Sequence, residues 1–159
     1  MKDALRKQLV RAHLRHLVVL GGIDFSFNED SQERWTPHWQ PHWQLAVEGC
    51  SSEEFIKALK AWYSKDPKDK ACPKPIYTDE IDNPIEQLSY LVKPFFERRV
   101  SYTDKDGKSD AKDWPLKPKQ LREIAVFMDR FDMTDRLFMQ NVRRYGPKLV
   151  RQKKTKSTK

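Results

Sequence analysis

No run of apolar residues in the chain approaches the ~20 needed to cross a bilayer. The most apolar stretch, Leu17–Leu20, is also too short for the hydrophobic centre of a signal peptide. These absences point to a cytoplasmic protein. Cysteine is scarce: Cys50 and Cys72 have no CxxC spacing and no obvious zinc partners, so both read as free thiols. No unit repeats at domain scale, and the doubled PHWQ within Pro37–Gln44 is only local. Acid is missing from the last segment, where Arg143, Arg144, Lys148, Arg151, Lys153, Lys154, Lys156 and Lys159 stand without one Asp or Glu.

Those eight cations account for the whole net charge of +8, so the rest of the 159-residue chain is balanced. A basic end on a neutral domain suits nucleic acid, because Lys and Arg displace counterions from phosphates. The plain alternative is a tail that only solubilises. The length suits one domain with a modest core. We read residues 1–146 as that domain and 147–159 as a basic, disordered tail.

Along the chain, Lys2–His16 has Leu5, Leu9, Ala12 and His16 at helical spacing. Leu17–Phe27 then alternates as a strand, with Ile23, Phe25 and Phe27 on one face and Asp24 and Ser26 on the other. Asn28–Pro41 is a polar loop. From His42 a second strand sets His42, Gln44 and Ala46 against Trp43, Leu45 and Val47. An antiparallel hairpin with Asp24 roughly opposite Gln44 gathers Asp24, Ser26, His42 and Gln44 on one polar face, and a one-residue slip would break that match.

Ser51 and Ser52 followed by Glu53 and Glu54 start a helix with Phe55, Leu59 and Trp62 inward. Pro75–Ile81 reads as a short strand. Asn83 caps a helix that has Pro84 at its first position and runs through IEQLSYLVK to Pro94. Val100–Thr103 reads as a strand and Asp104–Asp113 as a solvated turn. Pro118 opens a helix with Leu121, Ile124, Ala125 and Met128 on one side, and a last helical turn spans Asp135–Val142. The predicted class is α+β, an antiparallel central sheet flanked by helices.

His42 and Gln44, two apart on a strand, stand side by side with Asp24 as a third candidate. Such mixed nitrogen and oxygen donors suit Mg or Mn. Tyr90 and Lys93, three apart on a helix, share a face. An ammonium beside a phenol makes phenolate easier to form, which creates a nucleophile for a phosphodiester. Trp39, Arg98 and Arg99 are candidate contacts to bases and phosphates, together with Arg143, Arg144, Lys148, Arg151, Lys153 and Lys154. Each has a plain alternative. His42 can be a packed core histidine, Asp24 an ordinary exposed-face residue, Tyr90 a helix tyrosine that packs, and Trp39 a residue that closes the core. His38, one PHWQ unit earlier, is the ligand if the register differs. Tyr77 and Tyr102 can stack on bases or simply favour strands.

The run GGIDFSFNEDSQERWTPHWQPHWQLAVEG followed by YLVK resembles the rolling-circle replication initiators of the HUH endonuclease superfamily, over about Leu17–Val100. His42 and Gln44 match the metal pair, with Gln in place of the second His, and Tyr90 and Lys93 match the YxxK nucleophile and its helper. The resemblance implies a ferredoxin-like or RRM-like sheet, a divalent cation, and nicking and rejoining of single-stranded DNA from a plasmid, phage or other mobile element. The alternative of a different class is a catalytically inactive nucleic-acid-binding remnant or accessory module of the same fold. The family carries a first motif on an earlier strand. Only about sixteen residues precede Leu17 here and they read as a helix, so the expectation is an N-terminally truncated protein lacking that strand, or one that takes it from another chain. With no helicase segment, unwinding would fall to a host helicase.

Overall fold

A computed structural model describes residues 1–60 and 76–152. Its elements are α1 (Lys2–Arg11), β1 (Val18–Asp30), β2 (His38–Glu48), α2 (Ser52–Leu59), α3 (Pro84–Tyr90), β3 (Glu97–Thr103) and β4 (Ser109–Pro115). They continue with α4 (Pro118–Met128), α5 (Met133–Arg136), β5 (Leu137–Gln140), β6 (Val142–Tyr145) and β7 (Lys148–Arg151). No helix among the described residues is long and apolar enough to cross a membrane.

The long strand β1 is the spine. One edge pairs antiparallel with β2 along its length. The other edge is shared: β5 takes Val19–Gly22 antiparallel, and β3 takes Ser26–Asp30 in parallel. Between them Ile23, Asp24 and Phe25 face a gap in the sheet. β4 extends the sheet beyond β3. The fold is therefore α+β with a mixed sheet, which corrects the antiparallel expectation. β3 lies on the opposite edge of β1 from β2 and runs in the direction of β1; parallel neighbours need a long connection, and here β2, α2 and α3 lie between them in the sequence.

β1 and β2 sort their side chains by alternation as expected. Asp24 lies opposite His42 and Gly22 opposite Gln44, two residues from the expected register. A shift of two leaves every side chain on its own face. The loop is shorter than expected because β2 already starts at His38, and Pro41 sits inside it. A proline fits an edge strand whose nitrogen faces outward.

The apolar face is covered. Leu5 and Leu9 of α1, Phe55 and Leu59 of α2, and Phe138 of β5 close over Leu17 and Val19, with Trp43, Leu45 and Val47 packed against them. Ile124 of α4 meets Ile23 and Phe25 further along the sheet. The start of α2 follows its sequence closely. Ser51 and Glu54 form a reciprocal cap, the serine hydroxyl accepting from the Glu54 N–H while the Glu54 carboxylate accepts from the Ser51 N–H. Trp62 lies outside the described residues.

Other expected elements differ. Residues 76–81 form no strand, and Tyr77 is 78% exposed. Asn83 gives no side-chain cap to α3. Its amide donates to Glu86 instead, at 2.8 Å. α3 stops at Tyr90, so Lys93 lies beyond the helix. The expected turn over Asp104–Asp113 contains the start of β4. Gly107, with φ of 75°, supplies the left-handed position of a tight β3–β4 hairpin. The expected helical turn at Asp135–Val142 is mostly β5, and the basic segment from 147 includes β7, which pairs with β6. The boundary drawn at 146 thus falls in a hairpin turn. Lys153, Lys154, Lys156 and Lys159 lie outside the described residues.

The end of β1 carries two acids held by cations. Glu29 meets Arg98 at 2.8 Å and Lys117 at 3.1 Å. Asp30 meets Arg34 at 2.6 Å. Burial pushes the Glu29 carboxyl up, but Arg98 and Lys117 outweigh it and hold it below its ordinary value. The hydrogen bond from Arg34 does the same for Asp30. Folded values below unfolded ones mean that this stabilisation is present above the unfolded range of about 3.9–4.3 and is lost as pH falls through the folded values. Thermal melts are therefore expected to hold this contribution in full, nearly unchanged, between neutrality and about pH 5, with a falling Tm below about pH 4. Glu29→Gln with Asp30→Asn should start lower and flatten that acid limb; an unchanged acid limb would overturn the assignment.

Candidate active site

The polar face of β1 and β2 carries Gly22, Asp24, Ser26 and Asn28 beside His38, Gln40, His42 and Gln44. Asn28 bonds to Gln40, and Ser26 donates to Asn28 at 3.0 Å. Asp24 is the hub. Its residue is 3% exposed, and Oδ1 accepts from the neighbouring Phe25 N–H at 2.8 Å. Three groups converge on Oδ2: His42 Nε2 at 3.2 Å, the Gln44 amide nitrogen at 3.2 Å and Lys93 Nζ at 2.8 Å. Lys93 also reaches Glu97 Oε2 at 3.3 Å. Burial pushes the Asp24 carboxyl up, but His42 and Lys93 overcome this and hold it below its ordinary value. Burial lowers Lys93, and the bond and charge of Asp24 with the charge of Glu97 raise it further than burial lowers it. Both partners are thus held in their charged forms.

Lys93 arrives there because α3 docks end-on. The Leu91 carbonyl lies so close over Gly22 that a Cβ at Gly22 would come within 1.6 Å of it. The carbonyl of Lys93 accepts from Arg136 at 3.2 Å, and the Arg136 guanidinium lies over Phe96. Leu91 and Lys93 therefore hold the end of α3 over the face of the sheet that carries Asp24, His42 and Gln44. Tyr90 stays open at 51% exposure, with Lys93 Nζ 5.7 Å from its ring centre. His42 is the solvent side of the cluster, its side chain 42% exposed against 4% for Asp24.

Asp24, His42, Gln44 and Lys93 are thus brought together, with the ring of Tyr90 beside Lys93. Arg99, paired in register with Asn28, shares their face and is exposed. Arg98 projects to the opposite face, where it is held by Glu29. Trp39 also lies opposite, edge-on to Phe27 and packed near Ile23 and Phe25, so it closes the core rather than meeting the cluster. Tyr102 bonds to Asp110 on that other side. His38 shares the face of His42, but its Nδ1 sits 2.9 Å from the Thr36 carbonyl and its ring lies against Trp35. Arg143, Arg144, Lys148 and Arg151 are exposed on the β6–β7 hairpin, near the start of β1, and Arg151 pairs with Glu48. Cys50 is free, its thiol pushed up by burial and then by Glu54. Cys72 lies outside the described residues.

Sequence reasoning missed Glu97 and the direct bond between Lys93 and Asp24. No local pattern announced the first, because Pro94 separates Lys93 from Glu97 and the two do not share a helix. The second is a contact across 69 residues that no local pattern announces.

Among the described residues no three His, Cys, Asp or Glu side chains form a ready-made metal cage. The donor set here is a carboxylate oxygen, an imidazole nitrogen and an amide that presents its oxygen when turned over. That set fits a hard divalent ion, and an ammonium already sits on the carboxylate as a stand-in cation. Comparison with known protein families, curated proteins and solved structures gives no match.

Proposed function

We propose that the chain is a metal-dependent endonuclease that nicks and rejoins single-stranded DNA through Tyr90, as a replication initiator of a plasmid, phage or other mobile element. The observation that carries this reading is an exposed tyrosine beside a lysine that reaches Asp24 Oδ2 together with His42 and Gln44. Asp24, His42 and Gln44 would hold Mg or Mn, which offsets the charge on a phosphate oxygen. The Tyr90 oxygen attacks phosphorus, forming a phosphotyrosyl bond to the 5′ side while the bond to the 3′ oxygen breaks. The phenol proton ends on that 3′ oxygen. Lys93, whose ammonium lies 5.7 Å from the centre of the Tyr90 ring, would supply positive charge beside the nucleophile during the attack. The new ester keeps the strand activated, so a 3′ hydroxyl can attack it and reseal the DNA. Arg99, exposed on the same face, would contact a neighbouring phosphate.

A second reading, a nucleic-acid-binding module without chemistry, draws on Lys93 already neutralising Asp24 and on the exposed cations of β6–β7. One experiment separates them. Labelled single-stranded oligonucleotides are incubated with the protein and Mn, then run on a denaturing gel. A covalent protein–DNA band that requires the ion supports the nuclease. Binding that weakens steeply with salt, without a covalent band, supports the module. No binding at low salt removes both.

A further inference from the structure

We infer that Lys93 is a built-in competitor for the divalent ion: its ammonium occupies the cation position on Asp24, and metal binding displaces it toward Glu97 and Tyr90. Four observations carry this. Lys93 Nζ is the closest of the three groups on Asp24 Oδ2, at 2.8 Å. The other two, His42 and Gln44, are the remaining candidate ligands, so the ammonium stands among the very donors an ion would use. The other carboxylate oxygen, Oδ1, is turned to the Phe25 N–H, so Oδ2 is the oxygen on which the ammonium and both candidate ligands converge. The backbone of Lys93 is pinned, through Leu91 on Gly22 and through Arg136 on its carbonyl, so the side chain alone is left to move.

A divalent ion and an ammonium on one carboxylate oxygen repel each other, and the burial of Asp24 strengthens that repulsion. The side chain has somewhere to go. Glu97 Oε2 lies 3.3 Å away and is the more exposed of the two carboxylates, and the rings of Tyr90 and Phe95 lie 5.7 and 5.4 Å from the ammonium. An ammonium released by the ion would keep Glu97 and stay near the faces of both rings. Loading the ion and delivering the positive charge to the nucleophile thereby become one event. Only that last use rests on the nuclease reading; the exchange itself needs Asp24, His42, Gln44, Lys93 and Glu97.

The test is Mn binding to the whole chain, by calorimetry or by the paramagnetic signal of the free ion, with no DNA present. An ammonium that holds Asp24 about nine-tenths of the time lowers apparent affinity about tenfold, so Lys93→Gln is expected to bind Mn about tenfold more tightly. Glu97→Gln, which removes the resting place of the displaced ammonium, is expected to bind more weakly than the parent. In the unmodified protein, nitrogen-edited NMR of the lysine ammonium groups should show the Lys93 signal moving saturably with Mg. This holds the test open if Lys93→Gln fails to fold. Equal or weaker Mn binding by a folded Lys93→Gln, a Lys93 signal indifferent to saturating Mg, or no ion binding by any form would overturn the inference. Tighter binding without a covalent DNA band would keep it and remove the nuclease. A band with unchanged ion affinity would do the reverse.

Discussion

Tyr90→Phe is expected to abolish the covalent protein–DNA band and to slow nicking by at least about 10³-fold, a barrier rise of ~4 kcal/mol. The hydroxyl oxygen is the atom that bonds to phosphorus in the proposed step, and phenylalanine has no substitute for it. The change should leave folding almost untouched. The ring is 51% exposed, and phenylalanine keeps a ring face for the Lys93 ammonium. Exposed substitutions of this kind cost within about 0.5 kcal/mol, so the melting curve should nearly overlay the parent's. Three of the four other tyrosines supply controls. Tyr77 and Tyr145 are exposed at 78% and 73%. Tyr102 is bonded to Asp110, which holds its phenol protonated. Phenylalanine at any of these three should leave the band intact. A band that persists in Tyr90→Phe and vanishes in one of the controls would move the nucleophile elsewhere.

How far the sequence reached depends on whether a feature is local. Alternation placed Asp24, His42 and Gln44 on one face because a strand offers only two sides, and an error of two residues in register costs nothing. The Ser51–Glu54 cap and Pro84 at the start of α3 were readable because both are satisfied within one helical turn. β4 was not readable from its side chains: Ser109–Pro115 is mostly polar, and it is a strand because β3 offers it an edge. The Asp106-Gly107 pair was the available hairpin signal. β5 is four residues long, too short for its period to be distinguished from a helical turn, and it exists through pairing with Val19–Gly22. The parallel pairing of β3 with β1 likewise follows from the path of the crossover. At the candidate site, the residue types were legible and their partners were not. Lys93 was expected beside Tyr90 on a helix face; it sits past the helix end and spends its charge on Asp24 and Glu97.

Gly22→Ala is expected to be the most damaging small substitution in the described chain, lowering stability by about 3 kcal/mol and Tm by roughly 6–12 °C. The added methyl would meet the Leu91 carbonyl oxygen at 1.6 Å and its carbon at 2.6 Å. Those are backbone atoms, and no rotamer change can clear them. Alanine ordinarily gains about 0.4–1 kcal/mol over glycine by restricting the unfolded chain, so the clash must exceed the net loss by that amount. Gly21→Ala is the matched control. Its methyl would press on the Leu45 side-chain end at 2.3 Å and touch the Gln44 carbonyl at 3.0 Å, and the leucine can rotate away. Its loss should be clearly smaller. The functional consequence follows from position. Raising Leu91 off the sheet lifts Lys93 and Tyr90 with it, so Gly22→Ala should lose the Lys93 bond to Asp24 even at temperatures where β1 and β2 stay paired. The proposed chemistry then requires the covalent DNA band to fall much further than the remaining folded fraction. A variant that melts early but retains full activity per folded molecule would show that α3 need not sit on Gly22 for Tyr90 to work.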